Sequence, residues 1–318
     1  MSLSVIVPCF NEEEALAAFW ERITAVCERA AGSYEIVLVD DGSKDGTWAA
    51  IQNLSTRDPH VVGLRLSRNY GHQLALTAGL QQATGERILI IDADLQDPPE
   101  LLPQMMQLMD DGADVVYGQR RQRRGESAFK LVTAYCFYRF LGWLSDIEIP
   151  RDTGDFRLIN RRILTVLNSM PEHGRFIRGM ISSIGLNQKP LLYDREERVA
   201  GRSKYPLGKM IRFAINAVVS FSTKPLRLAS YLGLAVAAWC AVFMLYQIGA
   251  YFVGSPVRGW TSLVVVILFV GALQLFVLGI IGEYIGRLFI ESKRRPLYVI
   301  AESIGQQQQQ RVPNPTPA

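Results

Sequence analysis

The run Asp92-Ala93-Asp94 contains the two carboxylates in this sequence that are best placed to hold a metal ion. It directly follows an apolar segment with the composition of a buried strand and precedes a Pro-Pro pair that favours a helix start. Carboxylates at such a strand end can converge on one divalent cation. Mg²⁺ and Mn²⁺ take oxygen ligands and commonly share them with substrate phosphates. Because Gln96 supplies a third oxygen within reach, we predict a Mg²⁺ or Mn²⁺ site formed by Asp92, Asp94 and Gln96.

Two more clusters of polar residues follow the first and second apolar segments of the chain. One contains Pro8, Asn11 and Glu12, and the other contains Asp40 and Asp41. Their side-chain oxygens can accept hydrogen bonds from a nucleotide base or from ribose hydroxyls. Turn and cap chemistry explains the same residues, because Asp41 precedes a glycine and asparagine is a common helix N-cap. From the residues alone, both interpretations stay open.

The elements that must position these clusters are short strands that alternate with helices. The strand-like segments are rich in Val, Ile and Leu and are bounded by turn residues, at residues 3–8, 35–40, 61–66, 87–92 and 114–118. Helical patterns lie between them, at residues 12–31, 45–57, 72–83 and 98–110. This alternation predicts an α/β domain with a mainly parallel sheet, in which ligands bind at the carboxyl ends of the strands.

A second region, residues 228–282, holds 55 residues with a single charge, Arg258. It contains two apolar spans, at about residues 229–253 and 261–281, and each exceeds the ~20 residues needed to cross a hydrocarbon core. Lys and Arg residues flank the outer ends of the two spans. This bias predicts a transmembrane hairpin that leaves the catalytic domain and both termini in the cytoplasm.

Two segments rich in aromatic and basic residues, 128–145 and 205–227, are typical of amphipathic helices that lie on a membrane surface. An ordinary core-facing helix is the alternative for the first segment. Residues 198–227 hold seven Lys or Arg, whose charges can bind substrate phosphates or simply attract anionic lipids. A net charge of +4 with 20% charged residues argues against a nucleic-acid partner. The Gln- and Pro-rich residues from about 303 onward predict a disordered tail.

Four motifs together resemble the GT-A family-2 glycosyltransferases. They are Val5-Ile-Val-Pro-Cys-Phe-Asn-Glu12, Val39-Asp-Asp-Gly-Ser43, Asn69-Tyr-Gly-His72 with Ala78-Gly-Leu80, and Ile91-Asp-Ala-Asp-Leu-Gln-Asp-Pro-Pro99. Gly154-Asp-Phe-Arg-Leu158, Arg198-Val-Ala-Gly-Arg-Ser-Lys-Tyr205 and the hairpin with Gly282-Glu-Tyr-Ile-Gly-Arg287 resemble the polyprenyl-phosphate branch more narrowly. That branch includes dolichol-phosphate mannose synthases and bacterial bactoprenol glucosyltransferases of the GtrB type. The resemblance covers roughly residues 3–300, and two spans favour the bacterial type.

The resemblance implies a GT-A (Rossmann-like) fold, a bacterial inner-membrane location and a homo-oligomer, a tetramer. It assigns the nucleotide pocket to Pro8, Asn11, Glu12, Asp40, Asp41 and Asp92. It makes Asp92, Asp94 and Gln96 the metal ligands and places Asp155 at the position of the family's proposed catalytic carboxylate. It assigns the donor and acceptor phosphates to Arg120, Lys130, Arg198, Arg202, Ser203 and Lys204.

The expected function is the inverting transfer of a hexose, with glucose as the expected sugar, from a UDP-sugar to undecaprenyl or another polyprenyl phosphate. The alternatives are another sugar, such as mannose from GDP-mannose or aminoarabinose, and a non-catalytic membrane scaffold. A phosphate monoester is mostly a dianion at neutral pH and needs no base. We therefore expect Asp155 to position the sugar or a phosphate-binding arginine such as Arg157. The expected boundaries are 1–204 for the transferase domain, 205–227 for the interfacial helix, 228–287 for the hairpin and 288–318 for the C-terminal segment.

Overall fold

Short buried strands alternate with amphipathic helices in the computed structural model, which describes residues 1–121, 153–194, 224–252 and 259–305. These residues divide into two units. The first unit holds residues 1–121, 153–194 and 295–305, and it contains the sheet and the candidate site. The second unit holds residues 224–252 and 259–294, and it contains the apolar hairpin.

Eight strands form one mixed sheet in the first unit. They are β1 (Leu3–Cys9), β2 (Tyr34–Asp40), β3 (Val61–Leu66), β4 (Arg87–Ile90), β5 (Val115–Arg120), β6 (Thr153–Asn160), β7 (Gln188–Tyr193) and β8 (Ile300–Ile304). Their order is β7-β5-β6-β4-β1-β2-β3-β8. The pairs β1/β2, β1/β4, β2/β3 and β5/β7 are parallel, whereas β3/β8, β4/β6 and β5/β6 are antiparallel. The prediction of an α/β domain with a mainly parallel sheet is confirmed.

The central strands are buried along their whole length and consist mainly of apolar residues. All seven residues of β1 and all seven of β2 are buried, which is the pattern of strands inside a parallel sheet. The helices of this unit are α1 (Glu13–Ala30), α2 (Thr47–Arg57), α3 (His72–Gln82), α4 (Leu102–Asp110), α5 (Arg161–Ser169) and α6 (Ile177–Ile184). Helix α1 buries Leu16, Phe19, Ile23 and Val26, whose spacing of three or four residues forms one apolar stripe.

The second unit consists of two long helices, α7 (Lys224–Phe252) and α8 (Trp260–Ser292), which contact each other. Both are long and apolar enough to cross a membrane, over Lys224–Phe243 and Val265–Ser292. Helix α8 continues 11 residues beyond the predicted end of the second span at residue 281. This extension carries charged residues, of which Arg287 lies 3.5 Å from Glu283 one turn earlier.

The C-terminal segment differs most from its prediction. Residues 300–304 form strand β8, so the prediction of disorder from about residue 303 is wrong for Ser303 and Ile304. The segment also belongs to the transferase unit rather than being a separate piece. Residues 300–305 include charged and small residues that do not form a strand pattern in the sequence. The strand is stabilised by its pairing with β3. The interfacial helix predicted at 128–145 and residues 205–223 of the second one lie outside the described residues, whereas residues 224–227 begin α7.

Candidate functional site

Hydrogen bonds between backbone amides and side chains join the loop after β1 to the loop after β2. Asn11 has a left-handed backbone with φ of 55°. Its amide donates to Ser43 Oγ at 3.0 Å, and its side-chain oxygen accepts from the amide of Lys44 at 3.0 Å. The amide of Glu12 donates to Thr47 Oγ1 at 2.9 Å. The side-chain amide of Asn11 therefore closes the two loops into one rim at the carboxyl edge of the sheet.

The adjacent residues Asp40 and Asp41 make different contacts. Both carboxylate oxygens of Asp41 accept backbone amides, from Tyr70 at 2.7 Å and from Gly71 at 2.8 Å. Asp41 thus fixes the loop that leads into α3, and burial raises its pKa in spite of these hydrogen bonds. Asp40 is fully buried, and its Oδ1 accepts from the amide of Ser43 at 2.9 Å. Its Oδ2 is buried without a hydrogen bond, so it can accept one from a ligand.

Three of the predicted pocket carboxylates surround the end of β1. Burial raises the pKa of the Cys9 thiol, and the charges of Glu12, Asp40 and Asp92 raise it further. The three side chains therefore lie close enough to Cys9 to act on it electrostatically. Pro8 is a buried residue of β1 that lies opposite Val39 of β2. It shapes the strand beneath the carboxylates.

Asp92 lies just beyond β4, near three other carboxylates. Its Oδ1 is buried without a hydrogen bond, and His72 Nε2 lies 3.7 Å from it. Burial raises the pKa of Asp92 to about 6; the charge of His72 opposes this rise, and those of Asp155, Asp94 and Asp97 add to it. Carboxylates that raise one another's pKa in this way favour a bound cation.

The predicted metal ligands follow in a tight turn. Leu95 has a left-handed backbone with φ of 57°, and the amide of Gln96 donates to Asp94 Oδ1 at 3.2 Å. The side chain of Gln96 is buried. In the described part of the chain, no three His, Cys, Asp or Glu side chains form a ready-made metal cluster. The unpartnered oxygen of Asp92 nevertheless fits a hard divalent ion that takes its remaining ligands from elsewhere, such as substrate phosphates.

Asp155, on β6, is held by side chains from two helices. Its Oδ2 lies 3.0 Å from His72 Nε2 and accepts from Gln73 Nε2 at 2.9 Å, and its Oδ1 lies 3.6 Å from Arg178 Nε. Burial alone would raise the pKa of Asp155, but the hydrogen bond from His72 and the charge of Arg178 outweigh it and hold that pKa well below its usual range. The carboxylate is therefore ionised throughout the neutral range.

His72 connects the two halves of the site. Burial alone would lower its pKa, but the hydrogen bond to Asp155 and the charges of Asp92 and Asp155 raise it to about 9. The imidazole is thus protonated at neutral pH and lies between two carboxylates. Helix α3 begins at His72 directly after Gly71, whose φ of 97° suits glycine. In the sequence, His72 stood out only as the last residue of the Asn69-Tyr-Gly-His72 motif.

The expected partner of the Asp155 side chain is different from the one observed. Arg157 is buried and donates to backbone carbonyls, from Nε to Asp155 O at 3.2 Å and from NH2 to Gly154 O at 2.9 Å. Its guanidinium therefore supports the turn around Asp155 instead of bonding its carboxylate. Asp155 and Arg157 share a face of β6, but side chains of α3 and α6 engage the Asp155 carboxylate instead.

Of the arginines that were predicted to bind phosphate, Arg120 is the one that lies within the described residues. Its guanidinium lies beside Gly154, where an added Cβ would meet NH2 at 3.2 Å, and its Nε is buried without a partner. Tyr193 donates a short hydrogen bond to Asp97 and packs edge-on against Phe156. Arg120 thus lies among Gly154, Asp97 and Tyr193, next to the strand that carries Asp155. Lys130, Arg198, Arg202, Ser203 and Lys204 lie outside the described residues.

Sequence reasoning missed Gln73, Arg178 and Tyr193 as site residues. Gln73 joins Asp155 to α6, because its Oε1 also accepts from the amide of Ile177 at 2.9 Å. No motif carried this information, since the contacts join elements that are far apart in the chain. Only the position of Gln73 beside His72 could have signalled a role.

An α/β sheet with several carboxylates at its carboxyl edge, together with two helices long and apolar enough to cross a membrane, fits a membrane-associated group transferase. The glycosyl transferase family 2 model matches residues 4–167, and the GtrB C-terminal hairpin model matches residues 224–288. The chain therefore belongs to glycosyl transferase family 2. It is a glycosyltransferase with a GT-A fold.

Known proteins resemble the chain along almost its whole length. The uncharacterized glycosyltransferase YkcC of Bacillus subtilis is 43% identical, over 95% of this chain and 94% of that protein. The bactoprenol glucosyl transferase of Shigella phage SfV is 42% identical, over 94% of this chain and 98% of that protein. Among solved structures, mannosyl-3-phosphoglycerate synthase from Rubrobacter xylanophilus is 20% identical with a TM-score of 0.48, over 73% of this chain and 75% of that one.

Proposed function

We propose that this protein transfers glucose from UDP-glucose to a polyprenyl phosphate at the cytoplasmic face of a membrane. One observation carries the proposal. His72 lies between the carboxylates of Asp92 and Asp155, in a chain that is similar to a bactoprenol glucosyl transferase. The apolar helices α7 and α8 supply a means to hold the enzyme beside a lipid acceptor.

The reaction needs one displacement at the anomeric carbon. An oxygen of the acceptor phosphate forms the new bond to that carbon, and the bond to the nucleoside diphosphate breaks with its electron pair leaving on the diphosphate. Because a single attack comes from the face opposite the leaving group, the configuration inverts. The attacking phosphate is already anionic, so no residue of the chain has to remove a proton.

The chain's own residues then bind and orient the reactants. Asp40 Oδ2 can accept a hydrogen bond from the base or ribose, and the rim built by Asn11 borders the same pocket. Asp92 and Asp94 would hold Mg²⁺ or Mn²⁺, which when bound neutralises charge on the leaving diphosphate. Asp155, held by His72, Gln73 and Arg178, is placed to orient the sugar.

A donor panel with purified full-length protein tests this function. The protein in lipid nanodiscs would receive undecaprenyl phosphate and, in turn, UDP-glucose, UDP-galactose, UDP-N-acetylglucosamine, a UDP-aminoarabinose or GDP-mannose. Mass spectrometry of the lipid fraction identifies any lipid-linked sugar. We expect a hexosyl phosphoprenol from UDP-glucose. Preference for GDP-mannose would overturn the nucleotide assignment, and the absence of product from every donor would favour the non-catalytic scaffold.

Oligomeric state is a separate proposal. The resemblance to polyprenyl-phosphate transferases supports a homotetramer, which light scattering of the detergent-solubilised protein would measure. A monomer of 35.6 kDa after subtraction of the detergent would contradict it.

A further inference from the structure

The chain that follows the membrane hairpin returns to the transferase sheet and lies along the donor side of the site. We name residues 295–304 the C-terminal strap. The carbonyl of Arg295 bonds His173 Nε2 at 2.9 Å, and Tyr298 donates a short hydrogen bond to Gln81 of α3. The carbonyl of Val299 accepts from the amide of Ser67, at the start of the loop that Asp41 holds. Strand β8 then pairs antiparallel with β3.

Three charged residues lie in register across neighbouring strands at this edge of the sheet. Asp40 on β2 is the direct partner of Arg65 on β3, and Arg65 is the direct partner of Glu302 on β8. Arg65 Nε lies 3.6 Å from Asp40 Oδ2, and Arg65 NH1 lies 2.9 Å from Glu302 Oε1. The row therefore runs from a fully buried acid, through a half-buried arginine, to an exposed acid.

The outer acid restrains the arginine on two sides. Glu302 Oε2 accepts from Trp48 Nε1 at 3.1 Å, while its other oxygen takes the guanidinium. The same guanidinium lies 5.8 Å from the centre of the Trp48 ring, within cation–π range. Glu302 thus ties Arg65 to a buried indole and limits the rotamers that its long side chain can adopt.

The position of Arg65 matters because Asp40 Oδ2 has no hydrogen bond of its own. A buried carboxylate oxygen without a partner is unfavourable, and the nearby positive charge of Arg65 offsets this. A half-buried arginine side chain can adopt several rotamers. The charge of Arg65 therefore stabilises Asp40 only if another residue keeps the guanidinium in place. The single acid of β8 does so from a strand that sequence reasoning did not predict.

We propose that Glu302 is a positioning residue of the donor pocket, which acts through Arg65 to keep the Asp40 carboxylate oriented and ready to accept a hydrogen bond from the nucleotide. This inference rests on the proposed function, because it takes Asp40 as a contact of the donor. It makes the C-terminal strap a part of the nucleotide site as well as the continuation of the membrane hairpin.

The test compares Glu302→Gln with a matched control, Glu100→Gln. Glu100 also pairs with an arginine, Arg22, at 2.8 Å, and both glutamates have side chains that are 47% exposed. The full-length protein in nanodiscs would be titrated with UDP by calorimetry, and the KM for the donor and kcat would be measured beside it. We expect Glu302→Gln to weaken UDP binding and raise the donor KM about two- to fivefold, the range of a half-exposed ion pair, with little change in kcat.

A double-mutant cycle with Arg65→Met separates positioning from a structural effect. Arg65→Met alone should weaken UDP binding about tenfold, and adding Glu302→Gln to it should change nothing further. Glu302→Asp should recover part of the lost affinity. Equal losses in Glu302→Gln and Glu100→Gln, or full additivity with Arg65→Met, would overturn the role of Glu302. If the wild-type protein binds neither UDP nor GDP, the proposed function itself fails. If the wild-type protein binds UDP and the Glu302→Gln variant binds UDP and turns over as well as wild type, only this inference fails.

Discussion

Replacing Asp155 separates a positioning role from general-base catalysis. The carboxylate takes hydrogen bonds from His72 and Gln73 on one oxygen and faces Arg178 with the other, and its side chain is 12% exposed. Asp155→Asn keeps an amide oxygen that can still accept from Gln73, but it removes the charge. Asp155→Ala removes the acceptor altogether. The two variants therefore remove different amounts of the same network.

The hydrogen bonds of Asp155 determine how much turnover each variant should lose. Without an acceptor, Gln73 and His72 lose their partner, and leaving buried donors unsatisfied costs about 2–3 kcal/mol in total, since His72 is partly solvated. If the transition state feels the whole loss, Asp155→Ala slows turnover about 30- to 160-fold. Asp155→Asn retains one hydrogen bond and should lose only about five- to tenfold. A general base would instead lose about 10²–10⁴-fold in both variants.

The assay measures lipid-linked sugar formed per enzyme between pH 5.5 and 9, with thermal unfolding as a check on the fold. The pKa of Asp155 lies well below its usual range, so this group stays ionised over the whole interval and contributes no acid limb. Any acid limb should belong to the acceptor phosphate, whose second pKa is about 6, and to Asp92, whose pKa is raised to about 6, and it should persist in Asp155→Asn. Equal inactivation of both variants, together with loss of that limb, would refute the positioning role.

Three further predictions concern the metal, the membrane and the fold. Asp94→Asn should sharply reduce turnover and metal-dependent UDP binding with unchanged unfolding temperature, and full activity in excess chelator would contradict the metal assignment. On a cysteine-free background, Pro256→Cys should react with an impermeant thiol reagent on intact cells and Glu100→Cys should not; the reverse would overturn the orientation. Gly42→Ala should destabilise the protein by at least about 1–2 kcal/mol, because φ is +66° and the new Cβ would lie 2.5 Å from the backbone of Arg68. Gly32→Ala, which meets nothing within 4 Å, is its control and should unfold like wild type.

The sequence predicted the elements whose pattern is local and failed where the structure depends on distant partners. Strand β3 was predicted at its observed bounds and helices α2 and α3 to within two residues at either end, because apolar periodicity and turn residues define such segments. Strand β8 was missed because its five residues are half-exposed and gain stability only by pairing with β3. Gln73 and Arg178 were missed for the same reason: their importance comes from Asp155, more than 20 residues from either in the chain.

Asp40 and Asp41 illustrate how one dipeptide serves two parts of the site. Asp40 is the last residue of β2 and Asp41 is the first residue of the loop that follows, and their carboxylates have different partners. Asp40 faces Arg65 and keeps an oxygen without a hydrogen bond, whereas Asp41 uses both oxygens on the backbone of Tyr70 and Gly71. The loop that Asp41 holds leads directly into His72, which bonds Asp155. The first acid therefore keeps an oxygen for the donor nucleotide that we propose, and the second holds the loop that leads to His72 and Asp155.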